Sequence, residues 1–476
     1  MATLLESYKN RLSISESVHQ KSHNGARMSA NKKLLIASVL NNTSKFINEA
    51  FDNSAATQRS ALGDYKRFCL NVSTVALPNL ILPDLMLTQP MSSITGYITY
   101  LRYTAGVTKG GVTDGDLFNG VYRHPKMTED RVNYTSDKIV EPVEAGTIAF
   151  AWEPVAGSVK FCADGATAYT PLTAGEDGKY EAPSKGKVAY TYDNVIIPQE
   201  GNNGNAIPTL KAKMSYMQLH AHARRIAVYY SQIAAFQAKT DYGYDIGEQL
   251  STQAQGELAY EIDTEGVFML NKGAELDRSL RFESYDEHVK KNGNGTYVSR
   301  SQYYETFTEI IARAKKIIYQ RTQKFAPNYM VVGANILTIL PYLPGWNAAS
   351  VSTINGPYLA GTVDGLKVFV SPSIDENRFF FGVNGSDLQT SAGVYAPYMA
   401  IVPTQLLGFA DGTMSQGFST MYDMKLLSTY KIVDGKRVDI EELNTGAETP
   451  DVGDYSWLLV AGEFIPGNEI TADTIN

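Results

Sequence analysis

Residues 391–405 read SAGVYAPYMAIVPTQ, and they hold no acid, base, thiol or metal ligand. Two prolines, Pro397 and Pro403, and two tyrosines three positions apart, Tyr395 and Tyr398, sit among apolar neighbours. Such a stretch is suited to packing and not to chemistry. Pro397 restricts the backbone, and each tyrosine offers a large contact area with a polar tip. Two uses favour the same residues: the core of a domain, or a contact with another subunit.

Working outward, the stretch follows a mixed α/β pattern. "NYMVVGAN", "GLKVFVSP" and "RFFFGVNG" read as strands, and "ILTILPYL" reads as a short helix stopped near Pro341. Beyond Lys431, "KRVDIEEL" and "SWLLVAGEFI" are two further strand candidates. Upstream lie two helices. One opens on Asp245 with Glu248 three residues on, a capping-box-like pair, and repeats Ile246, Leu250, Ala254, Leu258 and Ile262 every four residues. The other spans about Ser301 to Lys324, with Phe307, Ile310, Ile311, Ala314, Ile317 and Ile318 on one face.

Residues 141–200 form a separate module in which "GTIAFAW" and "GKVAYTYDNV" alternate between Gly/Asp turns, the pattern of a small antiparallel β-domain. "IPQEGNNGNAIP" closes it as a linker. Before it, "ITGYITYLRY" reads as a strand, and 107–140 is a long excursion with little periodicity. Near the N-terminus an amphipathic helix spans Asn31 to Phe51, with Leu35, Ile36, Val39, Leu40, Phe46, Ile47 and Ala50 on its apolar face. The polar arm before it has little to bury and is expected to need a partner to be ordered.

The 476 residues suffice for two to four packed domains. Thirty tyrosines and 39 glycines lean toward β-rich, loop-rich structure. A net charge of −8 opposes a nucleic-acid grip, which draws its affinity from Lys and Arg; the local patch "VKKNGNGTYVSR" reads as a solvated turn. Cys69 and Cys162 lack metal spacing and a disulfide framework, and read as thiols in a reducing compartment. The N-terminus has no apolar core of a secretory signal, and the longest apolar runs fall short of a membrane span.

Catalytic patterns are missing. "LHAHARR" puts His220 and His222 two apart without an acidic or thiol partner at ligand spacing, so a solvated face is favoured over a metal site. "NGNGTYV" lacks the Lys-Ser/Thr of a P-loop and the third glycine of a dinucleotide fingerprint. No Gly-x-Ser-x-Gly elbow or His-Glu-x-x-His occurs. The acid pairs Asp286–Glu287 and Glu441–Glu442 read as solvated charges. The expectation is a non-enzyme with no catalytic residue, metal or cofactor.

Five segments resemble, in order, the major capsid proteins of T-even-type tailed phages, built on the HK97 fold. "LPNLILPDLMLTQPMSSITGYITYLRY" is similar to that family's entry into the peripheral domain and E-loop, and "ARRIAVYYSQIAAFQAKTDYGYDIGEQLSTQAQGELAYEID" to its E-loop return and spine helix. "APNYMVVGANILTILPYL" is similar to its axial strand and helix, "AGVYAPYMAIVP" to its Gly-x-Tyr-Ala-Pro-Tyr segment, and "GFSTMYDM" to the return strand. The matches span roughly residues 77–424, and the module at 141–200 has no clear counterpart.

The resemblance implies an α+β fold of HK97 type with an inserted small all-β domain. It divides the chain into an N-terminal arm with its helix (1–63), a peripheral entry (64–93), an E-loop (94–143), an inserted β-sandwich-like domain (144–200) and an E-loop return (201–244). A peripheral domain with spine helix (245–326), an axial domain (327–430) and C-terminal peripheral strands with a tail (431–476) follow. It also implies self-assembly into hexameric capsomers of an icosahedral or elongated head in the virion, put together in the host cytoplasm. Interfaces of that obligate kind bury on the order of 2,000–5,000 Å² each. Portal, scaffold and decoration proteins and a pentameric vertex paralogue are the implied partners, with dsDNA enclosed but not bound by sequence. Tyr395, Pro397, Tyr398, Tyr100, Arg102 and His124 are the implied assembly contacts. Competing readings are the vertex paralogue itself, a non-viral nanocompartment shell, and a carbohydrate-binding or adhesion protein using the β-module.

Overall fold

The computed structural model describes residues 2–22, 27–52, 70, 74, 80–106, 138–150, 154–175, 177–192, 209–243, 246–292, 299–322, 324–349, 356–404, 406–433, 436–439 and 454–466. The chain forms two units, one of Met1–Ile98 with Tyr216–Asn476 and one of Thr99–Ser215. The excursion at 107–137, the linker at 197–208, the turn at 293–298 and Cys69 lie outside the described residues.

In the larger unit a seven-stranded sheet grows around Tyr329–Val332, whose four residues are all buried. A strand covered on both faces needs an unbroken apolar run, and "YMVV" supplies it. It pairs in parallel with Leu366–Val370 and antiparallel with Arg378–Gly382, where Phe379, Phe380 and Phe381 are fully enclosed. Next to that strand lies Leu459–Ile465, antiparallel to it and parallel to Glu275–Glu283. The helix Phe307–Thr322 packs on this end through Phe307, Ile310, Ile311, Ala314 and Ile318, the predicted face except for Ile317, which is half-buried. Upstream, where one continuous helix is expected, a separate turn Arg300–Glu305 precedes it. Ser299 caps that turn, accepting from the Gln302 N–H while the Gln302 side chain reaches back to the Ser299 N–H.

A five-stranded sheet holds the quoted stretch. Gly393–Pro403 lies between Leu87–Thr88, parallel to it, and Thr413–Leu426, antiparallel; His222–Ser231 forms the far edge, and Leu407–Gly408 also pairs with Thr413–Leu426. The long helix Ile246–Lys272 covers one face, where Ala254 and Leu258 meet Ile401 and Phe418. The arm helix Ala30–Asp52 covers part of the other, where Ile47 meets Met399 and Val402. Adjacent residues Ile401 and Val402 thus serve opposite faces, as the two-residue period of a strand requires.

Three expectations change. The division at 430 does not follow the sheets, because the tail strand Leu459–Ile465 joins the strands of 329–382 while Gly393–Pro403 leaves them for the five-stranded sheet. The polar arm is helical at Ala2–Ser7 and Lys9–Ser22: Leu12, Ser15 and His19 are buried, both helices pack on the arm helix, and the Ser15 hydroxyl donates to the Thr74 carbonyl at 2.8 Å. On the arm helix Phe46 is exposed in place of joining the apolar face, and the Ala50 side chain lies outside the described residues.

The boundary at 143 also moves. In the smaller unit Lys138–Val143, assigned to the E-loop by resemblance, pairs with Gly186–Thr191, which pairs with Lys160–Ala163 and then Thr170–Pro171. Val188 and Tyr190 point inward as predicted, joining Ile139, Ile148, Val159, Phe161 and Tyr192 in one core. Among its described residues, "GTIAFAW" contributes the two-residue strand Gly146–Thr147, paired with Glu181–Ala182. Phe150 instead packs its ring edge against Tyr180 and Tyr190.

Candidate assembly surfaces

The quoted stretch is an interior strand. Of its eleven residues in Gly393–Pro403 only Tyr398 is not fully buried. Tyr395 is 2% exposed, with its ring 6.0 Å from that of Tyr422, and burial pushes its hydroxyl pKa up. It therefore has no surface to offer a neighbouring subunit and is a core residue. Pro397 is tolerated inside a sheet because its ring nitrogen faces the side of Leu87–Thr88, and that paired strand ends before it draws level with Pro397. The Pro397 carbonyl still accepts from the Met91 N–H at 3.0 Å. Tyr398 is half-buried beside the arm helix, where its carbonyl accepts from the Asn42 amide at 3.2 Å.

Tyr100 and Arg102 lie on the strand Thr95–Ala105, and their side chains, like His124 altogether, fall outside the described residues. That strand pairs with Leu210–His220 as a two-stranded ribbon. Its Gly106 N–H donates to the Thr209 carbonyl at 2.7 Å, and the Thr104 hydroxyl approaches the Lys211 carbonyl at 3.5 Å, an antiparallel register. At one end of it Ile98, Met217 and Leu219 are buried, whereas Tyr97 and Tyr216, packed edge to face at 6.1 Å, are exposed. Tyr103, Leu210 and Met214 are exposed as well. Apolar side chains open to solvent on a two-stranded ribbon are the signature of a surface meant to be covered.

A buried polar cluster fixes the arm to the long helix. Asp263, on the long helix and 6% exposed, accepts the N–H groups of Ile81 and Leu82 at 3.1 and 3.2 Å, capping the short helix Leu82–Leu85. Burial pushes its carboxyl up to about 7, against the lowering effect of those two N–H groups and of Lys32. Lys32, on the arm helix and 4% exposed, donates to the Leu80 carbonyl at 3.2 Å and lies 3.7 Å from Asp84, which is also paired with Lys367 at 3.0 Å. Burial pushes the Lys32 ammonium pKa down. Neither Lys32 nor Asp263 stands out in the sequence, because each interrupts an otherwise amphipathic helix like any polar residue.

His220 and His222 do come together, with rings 4.9 Å apart, and the His220 N–H donates to Asp423 at 2.8 Å. Among the described residues no group of three or more His, Cys, Asp or Glu could hold a metal ion. No helix among them is long and apolar enough to cross a membrane.

Apolar exposure also concentrates where no sequence reading places a site. Tyr229, Ile233, Phe236, Tyr242, Leu406, Leu407 and Phe409 are between 45 and 75% exposed. Nothing but the spacing of Ala235 and Ala238 against Ile233 and Phe236 in "QIAAFQAKTD" signals it.

The chain matches the model of the family described as major capsid protein Gp23 over residues 63–448. It is similar to the major capsid protein of Escherichia phage AR1, at 22% identity over 73% of this chain and 72% of that protein. It is similar to those of Enterobacteria phage T4, at 23% over 73% and 72%, and of Vibrio phage KVP40, at 21% over 74% of each. Among solved structures, "The capsid of Myoviridae Phage XM1" aligns with 8% identity over 56% of this chain and 82% of that chain, at a TM-score of 0.31. With α+β architecture and a family model matched across most of its length, the chain belongs to the Gp23 major capsid protein family, the structural shell proteins of tailed-phage virions.

Proposed function

We propose that the chain builds the wall of a phage head from closed rings of six copies, and that the wall encloses dsDNA without gripping it. The family match over residues 63–448 carries this reading. In a ring each copy offers one surface to a different surface of its neighbour, and closure follows from the rotation between them. The two-stranded ribbon of Thr95–Ala105 and Leu210–His220 is the reaching E-loop, and its open side chains Tyr103, Leu210 and Met214 are what a neighbour covers. The five-stranded sheet with the long helix is the peripheral domain, and the seven-stranded sheet is the axial domain. A net charge of −8 suits a container whose cargo must stay mobile enough to leave. Portal, scaffold and decoration proteins are the partners this role calls for.

Negative-stain electron microscopy of the purified chain, read beside its sedimentation profile, tests the reading. Six-fold rings, tubes or shells are expected. Five-fold rings would move the chain to the vertex role, and a monomer that binds glycans through the β-module would end the capsid reading.

A further inference from the structure

One helix in the larger unit is inside out. Gln232–Asp241 has ten residues and no buried one. The side chains it turns toward the protein are Ala235 and Ala238, half-buried, while Ile233 is 70% and Phe236 72% exposed. An amphipathic helix on a finished surface does the reverse, burying its large apolar residues and exposing its small or polar ones.

The strand leading into it shows the same inversion. Along His222–Ser231, Ile226 and Val228 pack toward the long helix, and the alternate residues Ala223, Arg225, Ala227, Tyr229 and Ser231 are all exposed. Tyr229 pairs across the sheet with Ser415, which pairs with Leu407, so these three share a row on the face away from the long helix. The arm helix covers that face farther along, at Met399, Val402 and Met421. The Gln232 N–H donates to the Gly412 carbonyl at 2.9 Å, tying the inverted helix to the hairpin that carries Leu406, Leu407 and Phe409.

With about 200 Å² per large side chain, the exposed fractions of Tyr229, Ile233, Phe236, Leu406, Leu407 and Phe409 add to roughly 700 Å² of largely apolar surface. The largest patch on an ordinary monomer is about 300–600 Å². One side of a standard interface is about 800 Å². The charged residues on the exposed row and the two flanking segments, Arg225, Lys239, Asp241 and Asp411, are two of each sign, so copies meeting face to face here bring no net repulsion.

We propose that this patch, formed by Tyr229, Ile233, Phe236, Leu406, Leu407 and Phe409, is a self-facing contact buried against the same patch of a second copy of this chain. It is distinct from the E-loop side chains, and it rests on the capsid reading, which supplies the second copy. A patch that meets itself around a rotation axis must be uncharged at its centre, and this one is.

Two measurements on the full chain test it. Hydroxyl-radical footprinting of free and assembled protein should show Tyr229, Phe236 and Phe409 protected at least fivefold on assembly. Phe236→Asp should cut the yield of rings or shells at least tenfold, with an unchanged circular dichroism spectrum because the side chain is open to solvent, and Phe236→Leu should restore it. If wild-type particles form, yet the patch labels equally in both states or Phe236→Asp assembles as well, the contact is wrong and the capsid reading stands. Labelling that persists in particles of the pure chain but disappears in whole virions would assign the patch to another protein, which also overturns the proposal. If the wild-type chain forms no ring, tube or shell, the capsid reading fails and this contact falls with it.

Discussion

Asp263 shows how much one side chain can hold. It satisfies two backbone N–H groups at the start of a short helix and sits in the field of Lys32, so three segments distant in sequence meet at one carboxylate. Its pKa is raised from 3.8 to about 7 because burial disfavours the charge more than the N–H groups and Lys32 favour it. Between those two values the folded chain holds a proton that the unfolded chain has lost. By linkage, the stability this group contributes is full below 3.8 and is lost as pH rises through 7. Asp263→Asn keeps a carbonyl oxygen for the two amides but removes the proton equilibrium. The melting temperature of the wild type relative to Asp263→Asn should therefore climb as pH falls from 7.5 to 4.5. A difference that stays flat over that range would mean the carboxyl titrates normally. Lys32, Asp84 and Lys367 are common to both proteins, so their own titrations largely cancel in the comparison.

At the scale of the element, the long helix was legible because its apolar residues recur every four positions, and Ala254, Leu258 and Ile262 are indeed buried. What the period does not reveal is how closely a neighbour approaches. Gly266 lies where Leu82 and Met86 press on the helix, and a Cβ built there would run into the Leu82 methyls and the Met86 Cε. Gly256, two to three turns earlier, faces open space. The two glycines look alike in the sequence and call for opposite predictions. Gly256→Ala should stabilise the chain by about 0.5–1 kcal/mol, the ordinary helix preference for alanine. Gly266→Val should cost about 1–3 kcal/mol, as overpacking does. Urea unfolding midpoints of the two variants would check both signs at once. The turn Arg300–Glu305 is hidden in the sequence for a related reason: the apolar stripe of Phe307–Ile318 continues the pattern of a single helix, and only the Ser299–Gln302 capping pair marks the separate start.

Across the whole molecule, strands are more legible in the sequence than their partners are. "YMVV", "LKVFV" and "RFFFG" each appear where an apolar run predicts them, but the sheet order depends on pairings that no local pattern encodes. The tail strand Leu459–Ile465 slides between strands that begin at 275 and 378, and the quoted stretch takes its partners from strands that begin at 87 and 413. That is why Tyr395 was balanced between core and contact in the sequence and is plainly core in the fold. The β-module was the most readable part, since its pairings are antiparallel and its core comes from the alternating strand Gly186–Thr191 together with close neighbours. Because that core lies wholly within the smaller unit, the module should unfold on its own terms. Val188 is completely enclosed among Ile139, Phe161 and Tyr190, so Val188→Asp buries an unpaired carboxylate there, a penalty of several kcal/mol that a module of this size cannot absorb. Calorimetry should show the module's transition lost while the transition of the larger unit moves by no more than about 0.5 kcal/mol, the limit for independent sites. Simultaneous loss of both would mean that the two units fold as one, and that the module is a structural support of the shell subunit and not an addition to it.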